Sequence, residues 1–389
     1  MKAEMNGKAI TIYLEGHISS VNSVERGKEI DRLLKERLPE KLVFDASGLK
    51  YISSAGLRVI LKLRKRFENI KFINVSAEVY EIFDVTGFTE LFDVEKAYRH
   101  FDISNCEMIG EGANGRVYRV NGDTIVKVYK DADALDDIKR ERELSRTAFL
   151  LGIPTAISFD VVMVGETYGV VFELLNAKSY LELMKEDEGN LEFCVRESIR
   201  VLKMIHSTET QGNLPRQSRD ALKWADMIKP HLAAEQYNKL RKLLEALPET
   251  GYLLHGDYHF KNIMLHNDET LLIDMDTLCT GHPVYELAFM YNAYVGYGLT
   301  DKSMIEDFFG VSADLTYRIW RRSLELYFDT DDKDYLDMIE EKASLIGCVR
   351  LMRRVIRKGK EDTPDGRKLM DACYERIARL LRRVDDLTF

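Results

Sequence analysis

The segment Gly251–Asp276, GYLLHGDYHFKNIMLHNDETLLIDMD, decides how the rest of the chain is read. A short apolar run ends in His255-Gly256-Asp257. Asn262 follows five residues after that aspartate, and a second apolar run delivers Asp274. Two carboxylates and an amide on adjacent strand ends are what phosphoryl transfer requires. One group acts as base toward a hydroxyl, and oxygen ligands hold Mg²⁺ on the phosphates of a nucleotide such as ATP.

Upstream, GEGANGRV (Gly110 to Val117) fits the pattern G-x-G-x-x-G-x-V through Gly110, Gly112, Gly115 and Val117. Alone, such a triplet reads equally as a turn. Its setting adds weight: Val117 to Val120, then Asn121-Gly122-Asp123, then Ile125 to Val128 reads as strand, tight turn, strand. A Rossmann glycine turn would instead open a helix. Lys127 sits among β-branched residues, where an unpaired ammonium is costly to bury. It therefore calls for an acidic partner, and the helix expected from Asp136 to about Leu151 offers Glu141 and Glu143.

The Asp-x4-Asn spacing is that of a protein-kinase catalytic loop. Residues from about 101 to 389 resemble the aminoglycoside phosphotransferase and choline-kinase-like branch of that fold. HGDYHFKN matches the branch's H-G-D-x-x-x-x-N, and IDMDTLCTGHPVYELA (Ile273–Ala288) aligns without a gap on its metal segment. Glu141 stands eleven residues before Gly152-Ile153-Pro154, as the branch's helix glutamate does. The resemblance implies ATP and Mg²⁺ as cofactors, with Asp257 as catalytic base and Asn262 and Asp274 as metal ligands. It also implies nucleotide contacts from Gly110, Gly112, Gly115, Val117, Lys127 and Glu141, and from Glu173 at an interlobe hinge. Three departures stand out. Asp276-Thr277 replaces a Gly-Asp pair, which lets Asp276 assist at the metal, while His282 and Glu286 each replace an aspartate around that core.

The first hundred residues form a separate unit. Lys8 to Glu15 alternates as a half-buried strand, and Lys41 to Asp45 reads as a more buried one. A helix between them spans Ser23 to Leu38, with Ile30, Leu33, Leu34 and Leu38 at helical spacing. After Tyr51-Ile52-Ser53-Ser54-Ala55-Gly56 an amphipathic helix follows, with Leu57, Ile60, Leu61 and Phe67 expected inward. A strand from Ile70 to Val75 and a helix from Val79 to Phe83 complete a small layered β-α sheet. This pattern, with LVFDASGLKYISSAGLRVIL inside it, resembles the STAS domain of anti-sigma-factor antagonists. The regulatory serine of that family maps to Ser54, but Ser53 stands where the family has Asp. Phosphate on Ser54 would lie at a helix N-terminus, which favours an anion. Ser53 and Ser54 also read simply as helix caps.

The fold expected is thus an α/β STAS domain over residues 1–100, then an α+β bilobal kinase-like domain over 101–389. Its N-lobe spans about 101–175 and its helical C-lobe about 176–389. The join, about Glu95 to Asn105, has no Pro-, Gly- or Ser-rich spacer, which suggests domains that touch. A net charge of −9 argues against nucleic-acid binding. No signal-peptide core and no run of 18 apolar residues occurs, so a cytoplasmic location away from membranes is expected. The five cysteines lack metal-ligand spacing, and most read as reduced core thiols. His255 is expected to brace the loop, and His206 to be structural. On the last two helices Arg350, Arg353, Arg354, Arg357, Lys358, Arg379, Arg382 and Arg383, set against an acidic stretch at Asp329, Asp331, Asp332, Asp334 and Asp337, read as a solvated face or as a docking surface for the STAS unit or an anionic substrate.

Three functions fit. The first is an ATP-dependent phosphotransferase acting on a small-molecule hydroxyl and regulated by the STAS domain, through which a protein partner can dock. The second is a serine kinase acting on a STAS domain, at its own Ser54 or a partner's. The third is a non-catalytic, nucleotide-binding anti-sigma-factor antagonist. Retention of Lys127, Glu141, Asp257, Asn262 and Asp274 argues against the third. The chain goes from Asp274 to Gly281-His282-Pro283 with no activation loop, which favours the first.

Overall fold

Ile10, Ile12 and Leu14 alternate with more exposed neighbours along β2 (Ala9–Ile18), and all three are fully buried. Leu42, Phe44 and Ala46 do the same along β3 (Lys41–Ile52). In the computed structural model, which describes residues 1–389 apart from Leu38, Ala113, Asn114, Gln211, Asn213 and the side chains of Glu36 and Arg37, these strands lie side by side. With β1 (Ala3–Asn6), β4 (Ile70–Val75) and β5 (Asp93–Lys96) they form a five-stranded sheet of order β1-β2-β3-β4-β5. Only the β1–β2 pair is antiparallel. The parallel pairs need crossovers, supplied by α1 (Ser23–Arg37), α2 (Ser54–Leu63), α3 (Ala77–Val85) and the short α4 (Phe88–Leu91). Phe72 anchors their common core, stacked on Phe44 and edge-on to Phe83 and Phe92.

Three local expectations change. β3 does not stop at Asp45; its parallel pairing with β2 continues to Ile52, absorbing register irregularities at Tyr13/Glu15 and Gly16/His17. Leu61 points outward at 36% exposure, because the buried stripe of α2 is Gly56, Leu57, Ile60 and Leu63. At about 100° per residue, Leu61 falls roughly a quarter-turn from the centre of that stripe. Phe67 is buried, but lies beyond the helix end. Leu38, expected to close α1, is outside the described residues.

The chain divides into two compact units, Met1–Asn105 with Val161–Gly169, and Cys106–Asp160 with Val170–Phe389. In the first, Arg99 and His100 (β6) pair in parallel with Val162 and Met163 of β10 (Ser158–Val164). The second begins with β7 (Glu107–Glu111), β8 (Gly115–Arg119) and β9 (Thr124–Tyr129), an antiparallel ladder flanked by β11 (Thr167–Glu173). The helix α5 (Leu135–Leu150) follows β9.

The remainder is mainly helical: β12 (Ala177–Ser179), α6 (Tyr180–Glu186), α7 (Leu191–Ser207), α8 (Gln217–Ile228) and α9 (Ala234–Glu245) precede the central segment. That segment holds β13 (Leu253–Leu254), β14 (Ile263–His266), β15 (Glu269–Leu272) and β16 (Cys279–Thr280). After it come α10 (Val284–Tyr294), α11 (Ser303–Phe309), α12 (Ala313–Phe328), α13 (Lys333–Arg357) and α14 (Pro364–Leu380). α10 is buried along its whole length and forms the axis of this lobe. Cys194, Cys279, Cys348 and Cys373 are free and buried in apolar packing, and Cys106 is free and half-buried. No helix among the described residues is long and apolar enough to cross a membrane.

Truncating Phe72 to alanine removes the centre of the first core, at a cost of about 3–5 kcal/mol. Hydrogen exchange should then accelerate across residues 1–96 while protection in Val170–Phe389 is retained. Equal loss in both units would show that their stabilities are not separable.

Candidate active site

Val117 faces Lys127 across the β8–β9 ladder, so both project to the same side of the sheet. Lys127 Nζ lies 2.9 Å from Glu141 Oε1 on α5, and the Tyr129 hydroxyl donates to Glu141 Oε2 at 2.5 Å. Glu143 is exposed; two residues on, it points about 200° away around the helix. Burial alone would lower the Lys127 pKa, but the charges of Glu141, Asp274 and Asp276 outweigh it and hold the ammonium above an ordinary lysine.

Gly110 lies near Val117 in the β7–β8 ladder, and the Gly112 amide donates to Gly115 O at 2.9 Å, closing the glycine loop. A Cβ on Gly115 would sit 2.5 Å from Val128 O, so the close approach of β8 to β9 admits only glycine. The loop tip, Ala113-Asn114, lies outside the described residues. Glu173 stands exposed at the end of β11.

The segment that carries Asp257 is fastened from below. Glu286, wholly buried in α10, accepts from the backbone N–H of His255 at 2.5 Å and of Gly256 at 3.1 Å. Burial would raise its pKa; His206, His255 and the Gly256 amide reverse this and hold it below the usual carboxylate value. His206 in turn hydrogen-bonds Tyr327 through Nδ1 at 2.7 Å, the structural role expected of it. Gly256 has φ +86°, and an added Cβ would meet Thr277 O at 2.5 Å. The Thr277 hydroxyl donates to His255 O at 2.8 Å, tying the catalytic loop to the segment after Asp274.

Above this base Asp257 is partly open to solvent, with its side chain 42% exposed. Partial burial pushes its pKa up, but a hydrogen bond from His259 and the charges of His259, Arg350 and His255 leave it well below an ordinary aspartate. Asn262 Nδ2 donates to Asp257 O at 3.0 Å and sits 3.4 Å from Asp257 Oδ2. The Ile273 amide donates to Asn262 O at 3.0 Å, setting the second strand end beside the first. Asp274 then adopts φ 64° and ψ 60°, a left-handed conformation rare for a residue with a side chain, and its Oδ1 lies 3.7 Å from Lys127 Nζ. Asp257 and Asn262 thus touch directly, as do Asp274, Lys127 and Glu141, and the Ile273 amide links the two groups.

These residues fit a hard divalent cation. With Asn262 Nδ2 committed to Asp257, its amide oxygen is the atom left to offer, and Asp274 adds a carboxylate; both are oxygen donors. Asp276 lies close by, its pKa raised to about 7 by burial and by the charges of Asp274 and Glu141. His282 accepts from the Val284 amide at 3.2 Å and so caps α10. Sequence reading missed one contributor: Arg350 on α13 donates to Gly256 O at 3.1 Å. It lies 94 residues from its partner, so the basic pattern that marks it in sequence does not show that it meets Gly256.

The phosphotransferase enzyme family matches residues 105–314, and the STAS domain matches residues 1–102. Among curated proteins, the chain is 31% identical over 85 residues to BtrV of Bordetella bronchiseptica, named an anti-sigma factor antagonist, covering 21% of this chain and 72% of that protein. Among solved structures it resembles a GDP complex of a variant aminoglycoside 2'-phosphotransferase-IIIa, at 13% identity and TM-score 0.50 over 77% of this chain and 97% of that one. It also resembles ADP-bound aminoglycoside phosphotransferase APH(2'')-Ib, at 16% identity and TM-score 0.46 over 80% and 99%. The former likeness is one of fold.

Replacing Glu286 with alanine strands two buried N–H groups, each costing about 1–3 kcal/mol. Urea unfolding of the full chain should show that loss, and Glu286→Asp should recover part of it. A shift below about 1 kcal/mol for Glu286→Ala would mean the loop is held by other contacts.

Proposed function

The chain belongs to the phosphotransferase enzyme family, and we propose that it transfers the γ-phosphoryl group of ATP to a hydroxyl of a small molecule, with its STAS domain as regulator. The observation that carries this reading is that Asp257 contacts Asn262, the Ile273 amide ties Asn262 to the segment that carries Asp274, and Asp274 lies beside the Lys127–Glu141 pair. Asp257, held ionised and open to solvent, accepts the proton of the attacking hydroxyl. Lys127, oriented by Glu141, binds the α- and β-phosphates under the loop formed by Gly110, Gly112 and Gly115, while Val117 and Glu173 border the nucleotide. Mg²⁺, held by Asn262 and Asp274, would neutralise charge on the transferred phosphates. The short path from Asp274 through β16 to α10 favours a small acceptor over a protein one.

A second reading, a serine kinase acting on Ser54, has one observation in its favour. Ser53, not Ser54, is the cap of α2, accepting from the Gly56 amide, while Ser54 is exposed and its hydroxyl is not used in that cap.

Asp257→Asn should retain nucleotide affinity and lose about 10²–10⁴ in turnover; turnover within about threefold of wild type would exclude Asp257 as the base. Asp274→Ala should abolish the Mg²⁺ dependence of nucleotide binding, measured by calorimetry with an ATP analogue at varied Mg²⁺. Phosphopeptide mapping after incubation with ATP separates the two readings. Phosphate on Ser54 in wild type but not in Asp257→Asn selects the serine kinase, and its absence there leaves the small-molecule acceptor.

A further inference from the structure

Most arginines of the helical lobe are matched by carboxylates. Arg321 has Asp337 and Glu340, and Arg322 has Glu192 and Glu325. Among the described residues Arg219, Arg376, Arg379 and Arg382 are not, and neither are the four on α13. Arg350, Arg353, Arg354 and Arg357 occupy positions i, i+3, i+4 and i+7, one helix face, and none has an ion-pair partner among the described residues. The carboxylate that acts on Arg353, that of Asp220, already pairs with Lys223 at 2.9 Å, and the one that Arg350 acts on is Asp257.

Aromatic rings hold these guanidiniums in place. Arg350 lies 3.8 Å from the Phe289 ring centroid, Arg353 5.2 Å from that of Trp224 and Arg354 4.8 Å from that of Tyr297. The Arg353 Nε is buried without a hydrogen-bond partner. Burial and the like charges of Arg357 and Arg350 hold Arg353 below the usual arginine pKa, and Arg354 does the same to Lys358. Positive charge is therefore concentrated here, and beyond Arg350, which acts on Asp257, no carboxylate pairs with it among the described residues. The face begins at the catalytic loop, through the Arg350 bond to Gly256 O, and the seven-residue span to Arg357 covers about 10 Å of helix. Four residues after Asp257, Lys261 lies over Phe308 at 4.3 Å and also lacks a carboxylate partner among the described residues.

We propose that this arginine face is the acceptor subsite, and that the molecule phosphorylated carries an oxyanion group, phosphate or carboxylate, within about 10 Å of the hydroxyl presented to Asp257. The substrate class rests on the phosphotransferase reading above. Stacked guanidinium forks are pre-oriented for bidentate contact with such groups, and each contact is charge-assisted. A polycationic acceptor would meet like charge at the same place.

The test begins with binding, independent of transfer. With the nucleotide site saturated by a non-hydrolysable ATP analogue and Mg²⁺, the full-length protein is titrated with inorganic phosphate at low salt. Wild type should bind. The exposed-site double variant Arg354→Glu, Arg357→Glu, checked for an unchanged melting curve, should bind about tenfold or more weakly, and Asp257→Asn should bind as wild type does. Absence of phosphate binding, or binding indifferent to the arginine variant, overturns the subsite. Turnover then compares matched acceptors: gluconate and glucose 6-phosphate, glucose, and glucosamine. Higher kcat/KM for the anionic members, lost mainly through KM in the double variant, supports the assignment. Preference for the neutral or cationic members overturns it while leaving phosphoryl transfer intact. Arginine-dependent phosphate binding without transfer to any acceptor upholds the anion subsite and instead counts against the transfer reading.

Discussion

A single buried carboxylate sets the geometry on which the site rests. Glu286 has no exposure to solvent, and it accepts two backbone N–H groups from the loop that carries Asp257. A charge so placed is costly unless fully hydrogen-bonded, so loop and helix are stable only together. Gly256 makes the arrangement compact. Its positive φ turns the chain where the Thr277 carbonyl leaves no room for a side chain. The loop that carries Asp257 is thus clamped between α10 and the segment beyond Asp274, and the partly exposed Asp257 side chain stands on a rigid base.

What sequence made legible was what acts locally. The spacing of Asp257 and Asn262, the apolar run ahead of Asp274 and the hairpin around Asn121-Gly122 are all written within a few residues. Glu141 was one of two candidates, and helix geometry, in which Glu143 faces the other way, separates them. Contacts formed at long range were not legible. Arg350 reaches Gly256 from a helix that looks, in sequence, like any basic amphipathic surface. Leu61 was misplaced because apolar character alone does not say where a stripe is centred; Gly56, with no side chain to score, belongs to that stripe. The length of β3 was missed because Ala46-Ser47-Gly48 has turn composition, and only pairing with β2 makes it strand.

The two serines at the start of α2 show a division of labour that sequence left open. Ser53 satisfies the helix amide at Gly56, which leaves Ser54 as an exposed hydroxyl in the first turn. An anion attached there would add to the helix dipole without displacing the existing cap. The family's usual aspartate, absent here, would have put a negative charge at that same end.

Asp274 is held in a conformation that costs an L-residue energy and that glycine would adopt freely. Its carboxylate is nonetheless the one that meets Lys127. Folding and chemistry therefore pull this position in opposite directions. Selection for heat resistance alone would drift toward glycine here and yield a sturdier protein without the carboxylate that meets Lys127.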